Sequence, residues 1–369
     1  MTRRIAVLVP VATVGALVAA LTACSSSGGS PSDTGSTDAG STTPPPKDVV
    51  IATHDSWAAP DDLIKAFETR SGFKVTILKN GDAGTLTNKL VLTKDSPIAD
   101  AVYGIDNTFA SRAVDEGVLA DYRSPGVAAT PGGSSSPAST YDVPGDEKQL
   151  TPIDWGDVCV NVDDAWFAKK KLAAPKSLDD LIAPAYKNLF VTPGAASSSP
   201  GFAFLLATIA KYGVGWKDYW TKLMHNGAKL DSGWSDAWSV DYTAGGGNGD
   251  RPIVLSYNTS PVDTIPEGGD KPTTSALLDT CFRQVEYAGV LSHANNPVGA
   301  KAFIDFLSGK AFQESMPDNM YVFPVNPDAA LPDAWAKWAP PASKPWSVPP
   351  ADIAKNRQAW LTEWSDITS

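Results

Sequence analysis

The chain has 369 residues and 43% of them are hydrophobic, enough for one large or two medium domains with a substantial core. Its net charge of −11 argues against nucleic acid and against an anionic membrane surface as partners. The same acidity suits a cationic ligand, and it equally serves solubility alone.

Arg3 and Arg4 precede an apolar run from Ile5 to Ala23, and the sequence LTAC spans Leu21 to Cys24. A basic start, an apolar stretch and small residues before a cut site make an export signal over residues 1–24. A membrane-spanning helix is the other reading, but Pro10, Gly15 and the Ser/Gly tract after Cys24 fit it poorly. LTAC resembles the lipobox of bacterial lipoproteins, which implies a lipidated Cys24 and an exported body held on the outer face of the cytoplasmic membrane. Residues 25–47, dominated by Ser, Gly, Thr, Pro and Asp, cannot bury enough apolar surface to fold. They read as a disordered tether that stiffens at Pro44 to Pro46. Two cysteines then remain, Cys159 and Cys281; an oxidising compartment suits a disulfide, and two separate buried thiols are the alternative.

Along the body, Val49 to Asp55 reads as a strand. A helix follows with Leu63, Ile64 and Phe67 at helical spacing, Pro60 at its start and Gly72 at its stop. Phe73 to Leu78 is the next expected strand, then a helix around Leu86 to Leu92 and a strand at Ala99 to Asp106. This alternation predicts an α/β lobe with a parallel or mixed sheet, whose ligands sit beyond the carboxyl ends of strands. Asp55, Asp82 and Asp106 with Asn107 fall at such ends or in the loops after them, although helix capping explains acids there as well. Thr151 to Phe167 reads as a strand entering a second unit. Helices are expected around Leu178 to Ile182 and Phe202 to Tyr212, and strands around Leu189 to Thr192, Ile253 to Ser256 and Cys281 to Leu291. A helix at Val298 to Leu307, a loop at Met316 to Pro327 and a helix from Pro350 to Trp364 complete the chain. Thr130 to Ser139 and Ala244 to Asp250 read as surface loops.

The motifs of common secreted hydrolases are absent: no HExxH, CxxC pair, GxxxxGK[ST] or GxSxG occurs. His54, His225 and His293 have no metal-ligand spacing with cysteine, so no metal or cofactor is expected. Trp234 lies among small polar residues in SGWSDAW, and Tyr321 sits in the expected loop; each is either a core ring or a wall on which a flat ligand stacks. AASSSPGFAFLL, Ala195 to Leu206, places serines and a proline at a helix start, whose free N–H groups either are simply capped or seat an anion or hydroxyl. VLSYNTSPVD, Val254 to Asp263, ends an apolar strand in a ring, an amide and two hydroxyls.

THDSW, GIDNTFASRAVDEGVLADY, SSSPGFAFLL, GWSDAW, VLSYNTSP and RQAWLTEW resemble, in order and spacing, segments of bacterial thiamine-binding proteins, the substrate-binding components of thiamine ABC transporters. The resemblance runs from about Val49 to Trp364. It implies an α/β, two-lobed type II periplasmic-binding-protein clamshell with two hinge-crossing segments, near Trp155 to Asn161 and near Cys281 to Glu286. Lobe 1 would hold residues 48–156 plus 284–369, and lobe 2 residues 157–283. Cys159 and Cys281 would then lie on neighbouring crossing strands, close enough to bridge. The resemblance carries over Asp82 and Ala83, Ser198 and Ser199, the stacking Trp234, and Tyr257, Asn258, Thr259 and Ser260 as ligand-lining residues. His54, Asp263 and Tyr321 depart from the family's aromatic pattern, so Trp57 or Trp155 could complete the ring sandwich instead. Asp55, Asp82, Asp106 or Asp263 would supply the countercharge to a cationic thiazolium. The implied protein is no enzyme but a monomeric binder of thiamine or thiamine phosphates, tethered to the membrane and served by a permease. Polyamine or ferric-iron transport is the alternative within the fold superfamily, and a hydrolase or an adhesive lipoprotein the alternative outside it.

Overall fold

The computed structural model describes residues 46–128 and 148–369. The expected signal peptide, Cys24, nearly all of the tether and the Thr130 to Ser139 loop lie outside the described residues. Three parallel strands, β1 (Asp48–Thr53), β2 (Lys74–Lys79) and β3 (Ala101–Asp106), alternate with α1 (Asp61–Ser71) and α2 (Ala83–Leu92). Asp61 and Asp62 in the first turn of α1 and Arg70 in its last suit the helix dipole. Gly72, left-handed at φ 76°, closes α1 by donating its N–H to Glu68. After α3 (Ala110–Asp115) and the short α4 (Pro125–Ala128), the chain enters β4 (Thr151–Asp163).

Beyond β4 come α5 (Asp164–Lys170), β5 (Phe190–Pro193), α6 (Ser199–Tyr212), α7 (Trp216–His225), β6 (Lys229–Asp231), the single turn α8 (Trp234–Asp236) and β7 (Ile253–Tyr257). The return runs through β8 (Thr274–Val290), α9 (Pro297–Ser308), α10 (Lys310–Met320), β9 (Phe323–Pro324), α11 (Asp333–Trp338) and α12 (Pro350–Thr368). Among the described residues, nine strands join one mixed sheet in the order β2-β1-β3-β8-β4-β7-β5-β6, with β9 added on β4.

The register explains where a ligand can sit. β4 and β8 pair antiparallel from Thr151 opposite Ala288 to Asp163 opposite Thr274. At ~3.3 Å per residue such a ladder is about 40 Å long, enough to serve two lobes. β3 runs along β8 toward its middle and ends with Asp106 opposite Glu286. β7 runs along β4 in the opposite sense and ends with Tyr257 opposite Val158. β1 and β2 share the direction of β3, and β5 and β6 that of β7. Both parallel groups therefore point their carboxyl ends at the midpoint of the β4–β8 ladder.

Several elements differ from their expected form. The stretch expected as a loop from Met316 to Pro327 begins inside α10 and ends around β9, because burial of Phe312, Gln313, Met316 and Pro317 holds a helix that carries a proline. Leu178 to Ile182 makes one 3₁₀ turn at Asp180–Ile182 rather than a helix. The strand expected from Cys281 starts earlier, at Thr274. α7 went unrecognised although Trp216, Tyr219, Trp220 and Leu223, all buried, stand at the i, i+3, i+4, i+7 spacing of a helix face.

Cys159 and Cys281 are joined in a disulfide, with Cα atoms 4.2 Å apart, just beside the midpoint of the ladder. It closes a separation of 122 residues. On chain-entropy grounds such a loop contributes roughly 3–5 kcal/mol. Denaturant unfolding of a Cys159→Ala/Cys281→Ala double variant is expected to show a loss of this order, and thiol titration of a denatured, unreduced Cys24→Ser chain should find neither thiol free. Two titratable thiols would contradict the pairing.

Candidate ligand cleft

At the ladder midpoint a cleft encloses about 480 Å³ of space, open solvent included. Each wall comes from a strand end. β1 delivers His54, the β2–α2 turn Asp82, the start of α6 Ser199, the turn after β6 Trp234, and the end of β7 Tyr257 and Ser260. Tyr321, at the C-terminal cap of α10, closes the mouth. Gln284 and Glu286, two residues apart and so on one face of β8, form the floor.

Trp234 is held on three sides. Its ring stacks on Trp238 at 5.9 Å and 12°, its Nε1–H donates to Ser256 Oγ at 2.9 Å, and its backbone N–H donates to Asp82 Oδ2 at 2.8 Å. Tyr257 meets it edge-on at 6.4 Å and donates its hydroxyl to Gln284 Oε1 at 3.3 Å. The Tyr257 ring lies against Gly156, where a Cβ would stand 3.0 Å from Cδ1. Tyr321 takes a left-handed backbone, φ 54°, pinned by the Thr259 hydroxyl donating to its carbonyl at 2.5 Å. Burial and a hydrogen bond to Asp263 push its phenol up to about 12.

Asp82 caps α2 and reaches across the cleft: besides Trp234 it accepts from Ala83 N–H at 2.6 Å and from Ser199 N–H at 3.4 Å. The helix start at Ser198 and Ser199 thus already has a carboxylate on its first N–H, and the Ser198 hydroxyl serves as its cap by accepting from Gly201 N–H.

The floor is an ionic cluster that sequence inspection missed, because Glu286 reads as one residue of a buried strand. His54 Nε2 lies 3.3 Å from Glu286 Oε1, the two side chains being only 6% and 9% exposed. Tyr103, fully buried, places its hydroxyl 2.5 Å from Asp154 Oδ2 and 3.0 Å from Glu286 Oε2. Burial pushes His54 down, but the charge of Glu286, aided by Asp82 and Asp55, outweighs it and raises the imidazole. Burial pushes Glu286 up, yet His54 and the Tyr103 and Asp154 hydrogen bonds bring it below its ordinary value. Asp154 is driven well up by burial and by the neighbouring charge of Glu286. Gly104 makes room for this arrangement: at φ 101°, a Cβ would come 2.2 Å from His54 Cδ2.

The remaining expected site residues sit behind the cleft or outside it. Asp106 is fully buried beneath Ser199, whose hydroxyl donates to it, and burial raises its carboxyl to about 7. Asn258 is buried and accepts from Asp157 N–H at 3.0 Å while donating to the Pro340 carbonyl. Asp55 is exposed and accepts from Gly81 N–H at 2.8 Å. Trp57 stacks on Phe312 in the core and Trp155 on Phe323, and neither lines the cleft. Ala83 is buried in α2 behind Asp82.

A cleft between two parallel strand groups, bridged by a shared antiparallel ladder, defines a solute-binding protein of the two-lobed periplasmic fold. Residues 96–347 match the family of bacterial extracellular solute-binding proteins, and the chain belongs to that family. Among its relatives, the thiamine-binding periplasmic protein of Brucella abortus biovar 1 (strain 9-941) is 30% identical over 331 residues, covering 87% of this chain and 92% of that one. A solved periplasmic thiamin binding protein matches with a TM-score of 0.73 at 27% identity, covering 87% and 96% of the two chains. Iron-bound HitA from Pseudomonas aeruginosa, at 20% identity and a TM-score of 0.65 over 88% of this chain and all of its own, shares the fold.

The ion pair sets a pH window. The raised His54 stabilises the fold fully below its ordinary value of 6.5 and loses that contribution as pH rises through its elevated value. The lowered Glu286 contributes above its ordinary 4.5 and loses that as pH falls through its depressed value. Urea midpoints should therefore decline on the alkaline side of 6.5, and His54→Gln should flatten that decline. Parallel profiles for the two proteins would contradict the pairing.

Proposed function

We propose that this chain is an extracytoplasmic lipoprotein that captures thiamine in the interlobe cleft and delivers it, chemically unchanged, to an ABC permease. The observation that carries the reading is Trp234, an indole immobilised at the cleft wall by Trp238, Ser256 and Asp82, above a floor that holds the Glu286 carboxylate. A cationic ring desolvated against such a face gains about 2 kcal/mol or more. The bridging Asp82 supplies the opposite charge, that of Glu286 being already matched by His54. Relatives over most of the chain's length carry the name thiamine-binding periplasmic protein, which supports the same ligand.

In this reading Asp82, Ser199, Trp234, Tyr257, Ser260 and Tyr321 meet the ligand, with His54, Gln284 and Glu286 beneath it. Ala83, Asp106, Ser198, Asn258 and Thr259 hold those residues in place. The lobes are residues 48–156 plus 284–369 and residues 157–283, and they hinge where both strand groups converge on the ladder. The lipobox at Cys24 anchors the chain, and residues 25–47 let the body move between solution and permease.

Calorimetry is expected to show tight binding of thiamine, and titration with thiamine monophosphate ranks the phosphorylated form. Trp234→Ala should weaken thiamine binding at least tenfold, about 1.4 kcal/mol, at an unchanged melting temperature. Asp82→Asn should weaken it as well by removing the countercharge. Tight uptake of spermidine or ferric citrate with no heat from thiamine would overturn the assignment.

A further inference from the structure

α12 packs against both α7 and α3. A groove enclosing about 1000 Å³, open to solvent, runs along it. Two guanidinium groups line this groove: Arg112 from α3 and Arg357 from α12. Arg357 is only 6% exposed, and its guanidinium carbon lies over the Phe109 ring at 4.3 Å and the Phe202 ring at 5.3 Å from their centroids. Stacking of this kind fixes the plane and leaves the N–H edges to find acceptors. Yet Arg357 Nε and Nη2, and Arg112 Nε, are buried without a hydrogen-bond partner in the structure.

That is an unusual way to leave two cations. A buried donor without an acceptor is costly, and a buried charge without a partner more so. The two guanidiniums also repel each other, and burial together with that repulsion brings Arg357 down to about 10. The buried Asp106, which interacts electrostatically with Arg357, already accepts from Ser199, Thr108 and the Phe109 N–H. Asp366 also lines the groove, but it is exposed and forms no ion pair within 4.0 Å of either arginine. Gln358, Thr362 and Ser365 add neutral polar groups along the same face of α12.

We propose that this groove is an oxyanion site, in which Arg112 and Arg357 together bind a small tetrahedral anion of the inorganic phosphate type. Forked N–H donors from two planar guanidiniums match the oxygen spacing of such an anion better than that of a halide. A bound oxyanion accepts from the unpartnered Arg357 edge and cancels the repulsion between the two arginines. An anion held by both arginines would tie α3 to α12.

Equilibrium dialysis of the full-length chain in detergent with labelled inorganic phosphate, chloride being exchanged to hold ionic strength constant, tests this directly. Saturable phosphate uptake is expected for the wild type. Arg112→Ala should weaken it at least tenfold. Arg357→Lys, which keeps the charge and loses the fork, should weaken it while circular dichroism shows an intact fold. Lys355→Ala removes an exposed cation of α12 outside the groove and should leave uptake unchanged. Phosphate uptake no greater than the chloride background, an unaffected Arg112→Ala, or an equal loss in Lys355→Ala would each overturn the proposal.

Discussion

The antiparallel pairing of β4 with β8 is the constraint on which the rest of the molecule depends. A parallel strand group places its ligand site at its own carboxyl edge, open to solvent. Two such groups, hung on opposite ends of one long ladder and running in opposite senses, bring those edges face to face. The ladder is reinforced where they meet. The disulfide between Cys159 and Cys281 lies beside the midpoint, and Arg283 grips the buried Asp157 with two hydrogen bonds of 2.8 and 2.9 Å. Asp157 also accepts from Ala342 N–H, tying the C-terminal segment to the same place.

The ladder also determines the electrostatics of the cleft. Asp154 and Glu286 face each other across the pairing, and both are buried. Two adjacent ionised carboxylates would repel strongly in a poorly solvated site. Tyr103 bridges them, burial and the charge of Glu286 drive the Asp154 carboxyl well up, and His54 pairs with Glu286, so the floor holds a balanced ion pair in a fixed position. Asp82 does comparable service at the rim, where its carboxylate ties the start of α2 to Ser199 and Trp234. Rigid walls and a prearranged charge lower the ordering cost that a ligand must meet.

Much of the fold was legible from local chemistry. Pro60 and Gly72 bracket α1, Asp82 caps α2, and Ser198 caps α6 because short-range hydrogen bonding at a helix end depends on a few adjacent residues. The strand ending in Tyr257 and the tryptophan of SGWSDAW stand out for a similar reason, rings and hydroxyls at strand ends facing a cavity or a turn, and both line the cleft. The same pattern could not say which way each side chain turns. Asn258 and Thr259 follow Tyr257 directly, yet one bonds Asp157 and Pro340 and the other holds Tyr321.

The amino-acid sequence by itself determined the strand and helix alternation, the cysteine pair available for bridging and the aromatic and acidic residues at strand ends, since these depend on spacing and side-chain chemistry within a few residues. Only the tertiary structure decided that Glu286 and Gln284 form the cleft floor, that Asp106 lies buried beneath Ser199, and that Arg112 meets Arg357. Those relations join residues from 93 to 245 positions apart through strand register and helix packing. Register is a property of the assembled sheet, set by the summed burial of many side chains, and no local window of sequence contains it.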